Sequence, residues 1–393
     1  MRKKILILVL CLACCLTLLG GCKKKKDVPH YSSGALIRDE AGSHPLLGAE
    51  QNGDTILHEE EFGGVYIDCT IEDFNALGFT YGDSVTIVFS NGYELKDIPY
   101  YNGYYTANGV PLLVAYPGYP YIKAAINNGD DLWEVAGLSE TDTADITLAE
   151  AGKYADIQDA RDIHYYDERE RYETDAEFAN FRNIQVGQIR EGVLYRSASP
   201  CDNQHNRAPY VDALAAEAGI QSIINLADTE EKIARYIADP EFACEHFYNL
   251  YEGGHVVLVK LNMNYSSNDF KAKVANGMIF MAENPGPYLV HCTEGKDRTG
   301  FVCMLLEALC GASYKEIVDD YMITYDNYYK ITAESEAKRY NVIVSEVLDP
   351  MVRTIVSDED LTKADLAAGA EQYLLEGGMT EAQIAALKEN LMK

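Results

Sequence analysis

The spacing of hydrophobic residues changes twice along this chain of 393 residues. Residues 5–19 form one continuous apolar run, and residues 2–4 precede it with three positive charges. From about 55 to 150, short runs alternate between apolar and polar positions and are rich in β-branched and aromatic residues, which predicts strands. Beyond about 155, the apolar run 288–290 has the length of a strand and the run 301–310 that of a helix. The pattern therefore predicts an all-β module followed by an α/β domain.

Turn residues separate the predicted strands of the all-β module. Alternating runs at 64–70 and 83–89 predict two strands, and Asn91-Gly92 then predicts a hairpin turn. Asn108-Gly109 is a second turn signal, directly before another strand at 110–116. Several short strands at this spacing favour a small barrel or sandwich.

Part of this module loosely resembles the C-terminal barrel domain of the SAM-dependent halogenases and SAM hydroxide adenosyltransferases. The resemblance rests on GDSV at 82–85 and IKAAINNGD at 122–130. It implies a barrel-like scaffold without SAM chemistry, because the catalytic half of that family is not matched. Eight tyrosines between Tyr93 and Tyr121 either form a stacking surface for a sugar or peptide, or are half-buried strand residues with hydrated hydroxyl groups.

Composition excludes some classes of partner. Lysine and arginine number 33 against 62 aspartates and glutamates, a formal charge of −29. Nucleic acid binding begins from a basic surface, so we do not expect a nucleic acid partner. A small anionic substrate stays possible, since a local cluster of donors can override the global field. The 10 cysteines show neither a disulfide framework nor paired zinc spacing, and we predict no metal or other cofactor.

The N-terminus predicts export and a lipid anchor. The apolar run 5–19 has signal-peptide length and ends at Gly20-Gly21-Cys22. This end resembles a bacterial lipobox, which implies that the thiol of Cys22 carries a diacylglycerol. Lysines 23–26 then add about 1 kcal/mol each near anionic headgroups, or they are only a solvated spacer. We expect an extracytoplasmic, membrane-anchored lipoprotein; the alternative is an ordinary signal peptide.

Residues 291–300, HCTEGKDRTG, contain the main candidate chemistry. A strand precedes them and an apolar helix follows, with Cys292 and Arg298 six positions apart. The segment matches the HCx5R motif of the cysteine-based protein phosphatases. Backbone N–H groups from Thr293 through Glu294, Gly295 and Lys296 to Arg298 can surround a phosphate dianion, and the helix N-terminus faces the same point.

Each side chain in this segment has a chemical reason. Arg298 adds a bidentate fork that fits phosphate oxygens, and Gly295 permits the tight turn. The positive environment favours the thiolate of Cys292, which would attack phosphorus and form a phosphocysteine. Thr299 is placed to hydrogen-bond the returning thiolate. His291 either orients the loop from behind or is a structural histidine.

The string HCxxGKDRTG resembles the bacterial tyrosine and dual-specificity phosphatases, which include secreted and phosphoinositide-active members. Further matches lie at NFRN 180–183, GVLYRS 192–197, AGIQSIINL 218–226 and the segment 373–387. Two positions depart from that family: Asn183 stands in place of Asp, and Ala227 in place of the arginine of its DLR strand. The strand at 223–226 also resembles atypical dual-specificity enzymes that cleave inositol pyrophosphates.

The general acid is open between several carboxylates. Only Glu252 lies 30–40 residues before Cys292, where many cysteine phosphatases carry an aspartate. Asp269 looks like part of a helix cap, and Asp228 follows a predicted strand. The resemblance implies Asp297 as the acid. Lys296 either binds phosphate charge, including a second phosphate, or lies at the rim.

We therefore predict an α/β cysteine-phosphatase fold, a central sheet flanked by helices, preceded by a small all-β barrel-like domain. The predicted parts are a signal peptide at 1–21, a lipidated tether at 22–54, the all-β domain at 55–150 and the phosphatase domain at 155–393. The expected activity is hydrolysis of phosphotyrosine or related monoesters. Alternatives are an inositol phosphate or phosphoinositide phosphatase, a non-catalytic module for a phosphorylated ligand, and a phosphatase that regulates the β module. The oligomeric state stays open.

Overall fold

The computed structural model describes residues 28–33, 36–38, 63–139 and 141–392. The predicted signal peptide, the lipidation site Cys22 and the lysines after it lie outside the described residues. Within the described ranges, no helix is both long enough and apolar enough to cross a membrane. The strands form two separate sheets.

The first sheet has eight strands in the order β1-β8-β4-β5-β6-β7-β3-β2. The strands are His30–Ser32 (β1), Leu36–Arg38 (β2), Val65–Ile67 (β3), Ser84–Phe89 (β4), Glu94–Tyr101 (β5), Pro111–Val114 (β6), Ile122–Ile126 (β7) and Ala144–Glu150 (β8). Neighbours are antiparallel except β5 and β6, which are parallel. The turn at Asn91-Gly92 joins β4 to β5 as predicted. Together with helices Ile71–Ala76 (α1) and Leu132–Val135 (α2), these strands are called the N-terminal module below.

The segment predicted as a tether contributes strands to this sheet. β1 pairs with β8, and β2 pairs with β3, so both edges of the sheet come from residues before 55. We expected only a spacer there. Each of these strands has three residues, too few for apolar and polar alternation to be recognised.

The tyrosines of the N-terminal module divide between its interior and its surface. Tyr100 and Tyr101 are buried, whereas Tyr116 is 46% exposed. The Tyr104 and Tyr119 hydroxyls lie 3.1 Å apart. Buried strand positions therefore explain part of the tyrosine-rich segment, and a cluster of three rings lies at its surface.

The second sheet has five strands in the order β12-β11-β13-β10-β9. They are Arg182–Asn183 (β9), Leu194–Ser197 (β10), Ser222–Asn225 (β11), Val256–Leu258 (β12) and Tyr288–His291 (β13). The four strands β12, β11, β13 and β10 are parallel, and β9 is antiparallel to β10. Carboxyl ends of parallel strands share one edge, where α/β proteins bind ligands.

Helices surround the second sheet, as the fold class predicts. They are Ala155–Arg161 (α3), Asp175–Phe178 (α4), Ala208–Glu217 (α5), Glu230–Ala238 (α6), Glu245–Glu252 (α7), Asn268–Glu283 (α8), Asp297–Leu309 (α9), Tyr314–Tyr329 (α10), Ala337–Ile343 (α11), Asp349–Val352 (α12), Leu366–Glu376 (α13) and Glu381–Met392 (α14). Every residue of α9 from Thr299 to Leu309 is buried. Such a helix is apolar on all sides because it lies inside the core. The α/β fold predicted from the sequence is confirmed.

Candidate active site

Cys292 lies at the carboxyl edge of the second sheet. β13 is the middle strand of the sheet, between β11 and β10, and ends at His291. The loop 292–296 follows directly, and α9 begins at Asp297. Cys292 is 3% exposed and is a free thiol. The predicted strand, loop and helix therefore place this thiol before the N-terminus of a buried helix.

The backbone of this loop has its carbonyl groups bound to the protein and its N–H groups available. The carbonyls of Thr293, Glu294 and Gly295 accept hydrogen bonds from Ser199 N, Tyr328 OH and Arg196 Nη2, at 3.0, 2.7 and 3.0 Å. None of the N–H groups of 293–297 donates to an acceptor in the described part of the chain. Buried N–H groups are nearly always paired. Consecutive N–H groups without protein acceptors form the kind of concavity that binds anions.

Gly295 is required by the shape of the loop. Its φ is +70°, in the left-handed region, and a Cβ there would lie 2.2 Å from Ser197 O. Its carbonyl also accepts a hydrogen bond of 3.2 Å from Asn180 Nδ2. No larger residue fits without moving β10, so the glycine lets the loop pack against the sheet edge.

Arg298 extends its guanidinium along the loop. Its Nη2 donates to Thr293 Oγ1 at 3.4 Å, and its Nη1 donates to Leu261 O at 3.3 Å. Leu261 belongs to the segment between β12 and α8, which faces the loop across the sheet edge. These long contacts hold the fork at the mouth of the site, where it can bind two oxygens of a phosphate.

Lys296 is turned inward. Its Nζ lies 3.1 Å from Glu294 Oε2 and 3.8 Å from Asp297 Oδ2, and Tyr329 OH is at 3.4 Å. Burial lowers the pKa of Lys296, but Asp297 and Glu294 more than offset this and raise it well above its usual range. Glu294, predicted as part of the phosphate cradle, therefore uses its side chain to pair with Lys296.

The candidate acids lie in different environments. The side chain of Asp297, at the start of α9, is 33% exposed and lies beside Lys296. Asp228 is buried and accepts hydrogen bonds from Asn225 Nδ2 at 3.0 Å and Tyr236 OH at 3.3 Å. Asp269 is on the exposed first turn of α8, 2.7 Å from Lys273 Nζ. Glu252 is exposed at the end of α7. Of these, Asp297 belongs to the loop and helix that present the thiol.

His291 and Thr299, on either side of the loop in sequence, are both fully buried. Nδ1 of His291 lies 3.2 Å from Cys292 O. Burial lowers the pKa of His291 to about 4, although nearby Asp228 acts in the opposite direction, so the ring is neutral at pH 7. Neither His291 Nε2 nor Thr299 Oγ1 has a hydrogen-bond partner among the described residues. The Thr299 hydroxyl is thus available to a group in the site.

A family model described as "Tyrosine phosphatase family" matches residues 176–393, more than half of the chain. The chain belongs to the tyrosine phosphatase family. It is a hydrolase of the phosphatase type, and the resemblance stated from its sequence is confirmed. No curated protein matches the chain.

Solved structures of two phosphatases are similar to this member of the tyrosine phosphatase family. One is the core catalytic domain of the PP-IP phosphatase SIW14 from S. cerevisiae in complex with citrate, at 20% identity and a TM-score of 0.24, covering 46% of this chain and 98% of that one. The other is P. aeruginosa TpbA in complex with pTyr, at 12% identity and a TM-score of 0.26, covering 44% and 92%.

Sequence reasoning missed the charged network behind the phosphatase loop. Arg196 and Arg182 bind the two oxygens of the Asp320 carboxylate, at 2.8 and 2.9 Å. Burial alone raises the pKa of Asp320, but the two guanidinium groups outweigh it and keep the carboxylate ionised. Burial and the Asp320 charge raise the pKa of neighbouring Glu307, which keeps its proton. These residues are distant in sequence; Arg182 and Arg196 lie in the matched strings NFRN and GVLYRS, but neither string indicates the partner Asp320.

Proposed function

We propose that this phosphatase hydrolyses phosphate monoesters through a phosphocysteine on Cys292. The observation that carries the proposal is the row of N–H groups at 293–297 without acceptors in the described protein, next to a buried thiol. These groups and the fork of Arg298 supply donors for three equatorial phosphate oxygens. The N-terminus of α9, directly after this loop, adds its partial positive charge to the same site.

The reaction has two displacement steps. The Cys292 thiolate attacks phosphorus, an S–P bond forms, and the ester P–O bond breaks. Asp297 gives its proton to the leaving oxygen and becomes the carboxylate. Water then attacks the phosphocysteine, loses a proton to Asp297 and releases inorganic phosphate. Thr299 Oγ1 donates a hydrogen bond to the sulfur as it leaves again as a thiolate.

Asp297 is the best-supported acid because of its position. It is the candidate carboxylate within the 291–300 segment that is partly exposed to substrate. Asp228 is committed to Asn225 and Tyr236, and Asp269 faces solvent with Lys273. The segment 259–267, which faces Arg298, contains no carboxylate.

Phosphotyrosine is the first test substrate, since the family is named for it. Inositol phosphates and phosphoinositides are the second candidate class, supported by the resemblance of the strand at 223–226 to enzymes that cleave inositol pyrophosphates. We further propose a lipid anchor at Cys22 and a location outside the cytoplasm, supported by the sequence of the first 26 residues.

Replacement of the nucleophile tests the mechanism. We expect Cys292→Ser to lower kcat for para-nitrophenyl phosphate by more than about a thousandfold, because a serine hydroxyl without a general base is a weak nucleophile. Cys303→Ala, which removes another buried thiol on α9, should retain turnover. Turnover by Cys292→Ser would overturn the mechanism. Phosphate binding by calorimetry without any wild-type turnover would favour the non-catalytic alternative.

A further inference from the structure

Helix α3 precedes residues 176–393, which the family model matches, and ion pairs bind it to the phosphatase domain. Asp159 binds the guanidinium of Arg339 on α11 through two contacts, of 2.9 and 2.8 Å. Asp156 lies 2.6 Å from Lys338 Nζ on the same helix. Ala160 is fully buried in the core around α9. Helix α3 makes two ion pairs with α11 and buries Ala160 in the core around α9. These contacts fix its orientation relative to the phosphatase domain.

The same helix is also bound to the N-terminal module. Gln158 exchanges two hydrogen bonds with Asn102, of 2.7 Å to the Asn102 side chain and 3.3 Å from its backbone N–H. Tyr154 OH donates to Asp97 O at 2.9 Å, and Ile157 packs against the buried cluster of that module. Helix α3 is therefore bound both to the phosphatase domain and to the N-terminal module.

Arg161 is the last residue of α3. Its guanidinium lies 5.4 Å from the ring centroid of Tyr105 in the N-terminal module. Burial lowers the pKa of Arg161, but nearby Tyr325 and the Asp297 carboxylate outweigh it and raise the pKa. The guanidinium is half-buried and makes neither a hydrogen bond nor an ion pair with any described residue. A cation fixed in this way is available to a ligand.

Arg161 differs from Lys296 and Arg298, the two cations of the phosphatase loop. Lys296 is already paired with Glu294 and lies near Asp297, so its charge is offset. Arg298 serves the phosphoryl group held by the loop. Arg161 is the neighbouring cation that no carboxylate within ion-pair distance neutralises among the described residues. A second anion on the substrate would find its partner there.

The N-terminal module also reaches the rim of the site. Asn108 Nδ2 donates a 3.1 Å hydrogen bond to Met263 O. Met263 belongs to the same 259–267 segment whose Leu261 carbonyl accepts from Arg298. Tyr105 and Asn108 lie on one loop of the module, between β5 and β6. That loop therefore contacts both Arg161 and the segment that accepts a hydrogen bond from Arg298.

We propose that Arg161 is a specificity-determining residue that binds a second phosphoryl group of the substrate. The proposal rests on the proposed function, in which the 292–298 segment binds the phosphoryl group that is cleaved. A guanidinium fork fits a phosphate better than an ammonium does. Because Arg161 is half-buried and lies over the Tyr105 ring, an anion that reaches it must enter the site with the reacting group. This favours a compact molecule with two phosphoryl groups over the surface of a protein.

Substrate selectivity of the full chain tests the proposal. We compare kcat/KM for inositol 1,4,5-trisphosphate with that for para-nitrophenyl phosphate, which has one phosphoryl group. Arg161→Gln should lower the ratio of the two values by about 10- to 150-fold, the range of a hydrogen bond to a charged group, mainly through KM. Arg161→Lys should lose less. Arg171→Gln, at an exposed arginine, is the control and should leave the ratio unchanged.

The outcomes separate this inference from the proposed function. Equal losses on both substrates, or a shifted pH profile of kcat, would mean that Arg161 positions Asp297, and would overturn the proposal. An unchanged ratio would also overturn it, as would a wild type that hydrolyses para-nitrophenyl phosphate and does not act on the trisphosphate. No turnover of either substrate by the wild type would contradict the proposed function instead. Melting temperatures should agree within a few degrees, since Arg161 makes no hydrogen bond in the described structure.

Discussion

Arg196 Nη2 donates a 3.0 Å hydrogen bond to the carbonyl of Gly295, across 99 positions of the sequence. Arg196 lies near the end of β10 and is 1% exposed, and its Nη1 donates to Asp320 Oδ2 of α10 at 2.8 Å. The candidate loop is thus fixed from behind by a buried ion pair, while its N–H groups face the site.

Removal of Arg196 should lower the free energy of unfolding. Arg196→Met leaves the Asp320 carboxylate with one guanidinium partner in the core, so we expect a loss of about 3–5 kcal/mol in the free energy of unfolding. Urea titration followed by circular dichroism measures it. Lys315→Met, which breaks an exposed ion pair with Asp319, should cost less than about 1 kcal/mol. Equal losses would contradict the structural role of Arg196.

Gly295→Ala should damage both stability and turnover. The new Cβ would lie 2.2 Å from Ser197 O at a φ of +70°, so the loop or β10 must shift. Gly254→Ala is the matched control, because Gly254 has a φ of +75° with nothing within 4 Å of the added atom. The control should lose about 1–2 kcal/mol from backbone strain alone. If Gly295→Ala loses no more than that and keeps full turnover of para-nitrophenyl phosphate, the loop is not packed as described.

Glu307→Gln should change how stability depends on pH. The pKa of Glu307 is raised in the folded protein, first by burial and then by Asp320. Its contribution is therefore present at pH values below the unfolded pKa, near 4.3, and declines as pH rises toward the folded pKa. The glutamine variant lacks this decline, so its stability relative to wild type should increase from pH 4.5 to pH 7.5 in urea titrations.

The control variant, Glu316→Gln, should change in stability with pH in the opposite direction. Glu316 forms a capping box with Ser313, whose backbone and side-chain hydrogen bonds lower the pKa of Glu316. A pKa that is lower in the folded protein stabilises the fold at pH values above the pKa of the unfolded state. Glu316→Gln should therefore lose stability relative to wild type as pH rises from 3.5 to 6. The same trend in both variants would argue against a protonated Glu307.

Cys22→Ala should release the protein from membranes. The two acyl chains of the proposed diacylglycerol on Cys22 would form a stable anchor, and the lysines after it would add attraction to anionic headgroups. Bacterial cells that express the full chain are fractionated by centrifugation. Wild type should be found in the membrane pellet and Cys22→Ala in the soluble fraction. Cys15→Ala, inside the apolar run, should behave as wild type. Labelled palmitate that remains on Cys22→Ala would contradict the proposed lipidation site.

Local patterns were sufficient for the elements around the candidate loop. The strand ending at His291, the loop and α9 follow from a short apolar run, a glycine-containing turn and a long apolar run. The segment 373–387, matched only by its resemblance to the bacterial phosphatases, lies in α13, α14 and the turn between them. Neighbouring residues decide such features, so one stretch of sequence contains the information. The chemical roles within 291–300 were inferred from the same stretch and stay proposals.

Tertiary structure alone decided what surrounds that loop. Arg196 and Asp320 are 124 positions apart, and Arg161 comes from a helix outside the family match. The short edge strands β1 and β2 carry no alternation of their own. Contacts of this kind depend on which faces pack together, and no local periodicity records them. By itself the sequence determined the motif and its fold class; packing of distant segments decided what holds the loop and which cations face it.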